Sequence, residues 1–170
     1  SADQDVAALT STSPDINYNI IRVRKDGKLQ WSIGDNLGEY LNLISSFALT
    51  ANKWQHVAIT KSGVRYTIFL NGKNIGSSNV TMKRMTRNTL TLAGTYFQGS
   101  AINFMLGNID EVRLWNIARS ENDIRDFMCK KVSKTNCATY WGNLKAYYRF
   151  DDADFTYSSV YNTMTNSWEG

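Results

Sequence analysis

The stretch Ile20-Ile21-Arg22-Val23-Arg24-Lys25-Asp26-Gly27-Lys28-Leu29-Gln30-Trp31-Ser32-Ile33 decides the fold class. Ile21 and Val23 alternate with Arg22 and Arg24, and Leu29, Trp31 and Ile33 alternate with Gln30 and Ser32. A period of two places alternate residues on opposite faces of a strand. The Asp26-Gly27 pair between the runs accepts the positive φ that tight turns need, so the stretch is predicted to be a hairpin with one apolar and one wet face. The same pattern returns at Val64, Tyr66, Ile68 and Leu70, with Asn71-Gly72-Lys73 as the turn and Ile75 on the returning strand.

Working outward, further strands are predicted at Tyr40–Ile44, Trp54–Thr60, Thr89–Ala93, Asn103–Leu106, Ile109–Trp115 and Lys145–Phe150. Many short strands separated by turn signals make a sandwich or barrel. One helix interrupts them. Ser120 is suited to cap it, Asp123 stands three residues on, and Ile124, Phe127 and Met128 form one apolar stripe. The start of the chain is thin and polar, with the first strong strand near Asn19. The tail from Asp151 to Gly170 has few periodic apolar positions.

The chain has 170 residues, 42% of them hydrophobic, which suits one domain with a packed core. The expectation is a single domain over residues 1–170. Five Trp and nine Tyr suit pleated surfaces and contact sites. A formal charge of +4 permits an acidic partner such as a sulfated polysaccharide, and equally serves plain solubility. No apolar run approaches the roughly 20 residues of a membrane helix. No signal peptide is read, so secretion would require a mature or excised piece. Cys129 and Cys137 flank a short polar stretch, and their even count and close spacing favour a local disulfide in an oxidising compartment.

Four segments, taken in order, resemble the laminin-G-like and pentraxin-like branch of the concanavalin A-like jelly rolls. They are Trp54-Gln55-His56-Val57-Ala58-Ile59-Thr60, then Tyr66–Gly76 (YTIFLNGKNIG), then Gly107–Ile124 (GNIDEVRLW followed by NIARSENDI), and Leu144–Asp152 (LKAYYRFDD). The resemblance implies an all-β, antiparallel jelly-roll β-sandwich with one short α-helix. It also places Trp54 and Trp115 in the core, and Trp31 joins them by its alternation with Leu29 and Ile33. Members usually carry further strands before the point where this chain starts. The resemblance therefore implies a part excised from a longer chain or one product of a cleavage, with a companion chain as one source of the missing strands.

Function follows from the same resemblance as an expectation. The family's calcium position maps onto Asp110, with Asp151 and Asp152 beside it; Ca²⁺ wants six to eight oxygen ligands. Glycan contacts are expected from aromatic and polar residues in loop-like stretches: Asp35, Asn36, Tyr40, Tyr96 and Phe97, with Tyr157 and Tyr161 as further exposed aromatics. Two basic clusters, Lys83-Arg84 with Arg87, and Lys130-Lys131 with Lys134, are candidates for sulfated ligands. No recognised nucleic-acid motif accompanies them.

Catalysis is disfavoured. His56 is the only histidine and falls within a strand pattern. No stretch projects paired carboxylates from alternate positions of one strand, the arrangement that the resemblance implies for glycosidases on related jelly rolls, and no Gly-rich phosphate loop is found. The expectation is a secreted or cell-surface, non-enzymatic lectin-like adhesion module that binds a carbohydrate or an extracellular protein, with Ca²⁺ as a candidate cofactor. The alternative is a structural interaction domain of a large surface or filament protein, with no sugar ligand.

Overall fold

The computed structural model describes residues 2–11, 17–97, 99–151, 160–162 and 167–169. The chain is all-β and antiparallel, of the jelly-roll sandwich class. It divides into two compact units, Ser1–Leu106 and Gly107–Gly170.

The first unit holds β1 (Gln4–Thr10), β2 (Tyr18–Val23), β3 (Lys28–Asp35), β4 (Gly38–Ala48), β5 (Val57–Ser62), β6 (Arg65–Leu70), β7 (Lys73–Asn79), β8 (Thr89–Leu92), β9 (Thr95–Phe97) and β10 (Ser100–Ile102). A five-stranded sheet runs in the order β4-β3-β2-β1-β8, and a three-stranded sheet runs β5-β6-β7. Both expected hairpins form, as β2–β3 and β6–β7. The second turns through Asn71 at φ 49 and Gly72 at φ 73, the paired positive dihedrals of a type I′ turn.

Each sheet turns one phase of its alternation inward. Leu29, Trp31 and Ile33 from β3 and Leu41 and Leu43 from β4 meet Tyr66, Ile68 and Ile75 of the smaller sheet. Ile21, Val23, Val57 and Ile59 pack around this cluster. Trp31 and Tyr66 meet edge-on, with ring centroids 5.2 Å apart.

Several expectations are corrected here. β1 occupies the stretch read as a thin and polar start, and it lies inside the large sheet between β2 and β8. Its short run Val6–Leu9 is carried by pairing on both sides rather than by a strong apolar alternation. The strand expected at Asn103–Leu106 is replaced by β10 just upstream, because Asn103 takes a left-handed φ of 53. Trp54 is 70% exposed instead of buried. The chain turns at Ala51–Lys53 and enters β5 only at Val57. Gln55 clamps that loop by accepting from the Thr50 N–H and donating to its carbonyl.

The second unit holds β11 (Val112–Trp115), α1 (Glu121–Phe127), a 3₁₀ turn (Ala138–Asn143), β12 (Leu144–Tyr148), β13 (Val160–Asn162) and β14 (Ser167–Glu169), with its strands in that sheet order. β13 and β14 lie in the tail that showed little periodicity. Ser120 caps α1, and its capping box with Asp123 is complete. Val132, Cys137, Leu144 and Tyr147 form the core, with Trp115 and Phe127 packed against it. Among them the Arg119 guanidinium lies 4.3 Å from the Trp115 ring and 4.3 Å from the Tyr140 ring. Desolvated cation–π contacts of this kind let an arginine enter an aromatic core.

Candidate functional site

The phase of β2 and β3 that points away from the core carries Ile20, Arg22, Gln30 and Ser32. On sequence this is the wet face. In the structure Gln30 and Ser32 are only 9% and 8% exposed. They line a cavity of about 280 Å³ together with Tyr18, Glu39, Thr95, Phe97, Ile102 and Asn103. Its floor therefore comes from the five-stranded sheet, and β9, β10 and Asn103 supply the opposing wall.

Asp5 anchors that wall to the floor. It is fully buried. Its carboxylate accepts from Arg22 Nε at 2.6 Å, Arg22 Nη2 at 3.3 Å, Thr95 Oγ1 at 2.6 Å and Asn103 Nδ2 at 3.0 Å. Asp3 stands 3.8 Å from Arg22 Nη1. A buried carboxylate is tolerated when its lone pairs are filled in this way. Across the floor, Gln30 Nε2 donates to Asn42 Oδ1 at 2.9 Å, which orients the amide.

The β3–β4 turn forms the adjoining rim. Asp35 accepts from the Leu37 N–H at 2.8 Å and from Tyr40 Oη at 3.0 Å, and pairs with Lys83 Nζ at 2.8 Å. Hydrogen bonding from Lys83 is the largest cause of its pKa falling to about 2. A lowered pKa in the folded state stabilises the fold above the unfolded carboxylate's ordinary value near 3.9. That contribution disappears as pH falls from about 4 to about 2. Asp35→Asn is therefore expected to flatten the stability profile across this window in acid titrations of the melting temperature. An unchanged slope would remove Asp35 from the acid response.

Tyr18 links the rim to the cavity. Burial raises its pKa first, and the nearby carboxylates of Glu39 and Asp35 raise it further. Its phenol stays an O–H donor. The ring lies on Gly34: a Cβ added there would overlap Tyr18 Oη and sit 2.5 Å from the Gly38 carbonyl oxygen. Gly34→Ala is expected to cost about 1–3 kcal/mol by overpacking, and to displace Tyr18. A denaturation midpoint equal to that of the unmodified chain would show that the rim yields without cost.

The expected ligand residues fare unequally. Phe97 lines the cavity. Tyr96, its neighbour on β9, is more exposed and does not line it. Asp35, Asn36 and Tyr40 share the turn, yet Asp35 and Tyr40 bind each other and Asn36 is left exposed. The sequence reading missed Asp5, Tyr18, Arg22, Gln30, Ser32, Glu39, Thr95 and Asn103. The available signal was the polar phase of the strongest alternation, at Arg22, Gln30 and Ser32.

Of the acidic set expected to hold calcium, Asp110 is bound by the neighbouring Glu111 N–H and Asp151 is committed to two cations, Lys131 and Arg149. A carboxylate held by two cations is a poor ligand for a third. Among the described residues no group of three or more His, Cys, Asp and Glu is placed to hold a metal ion. Asp152 and Tyr157 lie outside the described residues.

The expected disulfide is also absent. Cys129 is exposed, whereas Cys137 is buried and unbonded. The Cys137 thiol is turned into the core of its unit, 3.8 Å from Arg119 Nη1. The basic clusters are partly engaged: Lys83 holds Asp35, Arg87 donates to the Tyr18 carbonyl, and Lys131 holds Asp151. Among the described residues no helix is long and apolar enough to cross a membrane.

Comparison with known proteins agrees with this architecture. A segment of the Paraclostridial mosquitocidal protein 1 of Paraclostridium bifermentans is 22% identical over an alignment of 143 residues that covers 76% of this chain and 11% of that protein. The chain thus spans about a tenth of that relative's length. A solved structure from Bacteroides ovatus, of a protein to which carbohydrate binding is ascribed, superposes with a TM-score of 0.72 at 19% identity. That likeness covers 99% of this chain and 47% of the other. An S-layer domain-containing protein of Clostridium thermocellum gives a TM-score of 0.39 at 24% identity, over 74% of this chain and 62% of the other. The family profile of the concanavalin A-like lectin/glucanases superfamily matches residues 1–125, and the chain belongs to that superfamily.

Proposed function

We propose that this chain is a carbohydrate-binding module that holds a short glycan segment in the cavity on the outward face of the five-stranded sheet. The observation that carries the reading is the cavity's lining. Amide and hydroxyl groups of Gln30, Ser32, Thr95, Asn103 and Tyr18 stand beside the apolar surfaces of Phe97, Ile20 and Ile102. Sugars present that combination themselves: hydroxyls at the ring edge and a C–H face that packs on apolar and aromatic groups. A volume of about 280 Å³ lies at the small end of ligand pockets, near 300 Å³, and suits a monosaccharide or a short chain end. The superfamily and the Bacteroides likeness support the reading.

The module is read as non-catalytic. Hydrolysis with retention needs two carboxyl groups about 5 Å apart, one of them free to attack. In this cavity the Asp5 carboxylate is filled by donors from Arg22, Thr95 and Asn103, which leaves Glu39 alone. The same filled shell argues for binding without a cation. An extracellular or cell-surface setting belongs to this reading; the superfamily and the likeness to a segment of a mosquitocidal protein support it.

A glycan array read in calcium and in chelator tests the proposal. Binding of at least one oligosaccharide in both conditions, weakened by Phe97→Ala and by Gln30→Ala in protein that still melts cooperatively, is the expected result. Failure to bind any glycan in either condition would overturn it.

A further inference from the structure

We infer that the cavity accepts uncharged sugars and rejects sulfated and uronic-acid glycans, although the chain as a whole is cationic; the inference rests on the carbohydrate reading above. The overall charge of +4 points towards acidic partners. The cavity points the other way. Its charged lining consists of Asp5, Arg22 and Glu39, two negative side chains and one positive.

The single cation is already committed. Arg22 lies 2.6 Å from Asp5 through Nε and 3.8 Å from Asp3 through Nη1. It therefore faces two carboxylates before any ligand arrives. A sulfate that drew it away would leave the fully buried Asp5 without its ion-pair partner. Uncompensated buried charge of that kind is among the costliest changes a site can suffer. Glu39 lies on the cavity wall and its field reaches both Tyr18 and Arg22. An anionic sugar would enter beside it and meet like-charge repulsion.

Of the neighbouring segment's cations, Arg84 is exposed and does not line the cavity, and the other two are engaged. Lys83 is held by Asp35 at 2.8 Å, and Arg87 donates to the Tyr18 carbonyl and to Met85 Sδ. Neither lines the cavity. Thr95 Oγ1 and Asn103 Nδ2 are given to Asp5 and Gln30 Nε2 to Asn42, so the groups left to meet a ligand are the hydroxyls of Tyr18 and Ser32 and the side-chain carbonyls of Gln30 and Asn103. These match sugar hydroxyls and carry no charge to reward an anion. The sign of the whole chain is thus a poor guide to its ligand, because charge acts on a ligand through the few groups that face it.

The test is a binding titration of the intact chain against neutral glucose, galactose, mannose and N-acetylhexosamine oligosaccharides. Each is set beside its sulfated counterpart on the same backbone, with uronic-acid oligosaccharides as a third arm. The bound neutral glycan is expected to exceed its sulfated partner by at least about tenfold in affinity. Added salt should hardly move the neutral affinity. Glu39→Lys reverses the charge of an exposed wall position, and should shrink the neutral-to-sulfated ratio by about tenfold; Glu39→Gln should shrink it less. Equal or tighter binding of the sulfated partner by the unmodified chain would overturn the inference and leave the carbohydrate reading standing. So would a ratio that neither Glu39 variant changes. Absence of binding to every glycan, neutral and acidic alike, would remove the carbohydrate reading and this inference with it.

Discussion

Replacing Trp31 with alanine is expected to destabilise the first unit by about 4 kcal/mol, at the upper end for a core substitution. Trp31 is 3% exposed and stands at the centre of the apolar cluster formed by both sheets. Three losses combine. The indole leaves a cavity between sheets that are tied by strand pairing and can close only in part. The edge-on contact with Tyr66 at 5.2 Å disappears. Asn19 Oδ1 loses the Trp31 Nε1–H donor at 2.6 Å. Domains of this kind are stable by about 5–15 kcal/mol, so the variant should lie near the limit of folding. Denaturant titration followed by tryptophan fluorescence and circular dichroism measures the change. A cost below about 1 kcal/mol would mean that the two sheets do not share this core.

The second large effect belongs to Asp5. Asp5→Ala removes one member of an ion pair and leaves Arg22, Thr95 and Asn103 without their common acceptor. Breaking a buried pair from one side costs about 3–5 kcal/mol. The Arg22 side chain keeps 25% of its exposure, so water can recover part of its solvation and about 3 kcal/mol is expected. The paired variant Asp5→Ala with Arg22→Met should be more stable than Asp5→Ala alone, because no orphaned charge remains. Both should lose ligand affinity as the wall carried by Thr95 and Asn103 loosens. If the double variant is as unstable as the sum of its singles, Asp5 acts through packing and not through the pair.

The fold was legible wherever one face of a strand is apolar and the other polar. The β2–β3 and β6–β7 hairpins announced themselves through alternation and through Asp26-Gly27 and Asn71-Gly72. Ser120 and Asp123 likewise marked the start of α1. β1 was not legible, since an irregularity between Asp5 and Ala7 breaks its period of two and its buried positions include the polar Asp5 and Thr10. Trp54 misled because a strand pattern alone does not state where the strand begins. The thiol of Cys137 misled for a related reason: close spacing to Cys129 says nothing about which side chain the core takes.

The site was legible only in part. Loop position pointed to Asp35, Asn36, Tyr40, Tyr96 and Phe97, and one of these lines the cavity. The floor lay in the polar phase of β2 and β3, which sequence periodicity reads as facing water. What turns that face into a cavity is the return of β9, β10 and Asn103, tied by Asp5 across 98 residues of chain. No local pattern encodes a contact of that separation.

The central claim is that ligand is held on this covered face. The most direct measurement is amide NMR of the chain during titration with the oligosaccharide that binds best on the array. Shifts concentrated at Tyr18, Gln30, Ser32, Phe97 and Asn103 are the predicted result. Shifts confined to the surroundings of Asp110 and Asp151, with these five unmoved, would contradict it.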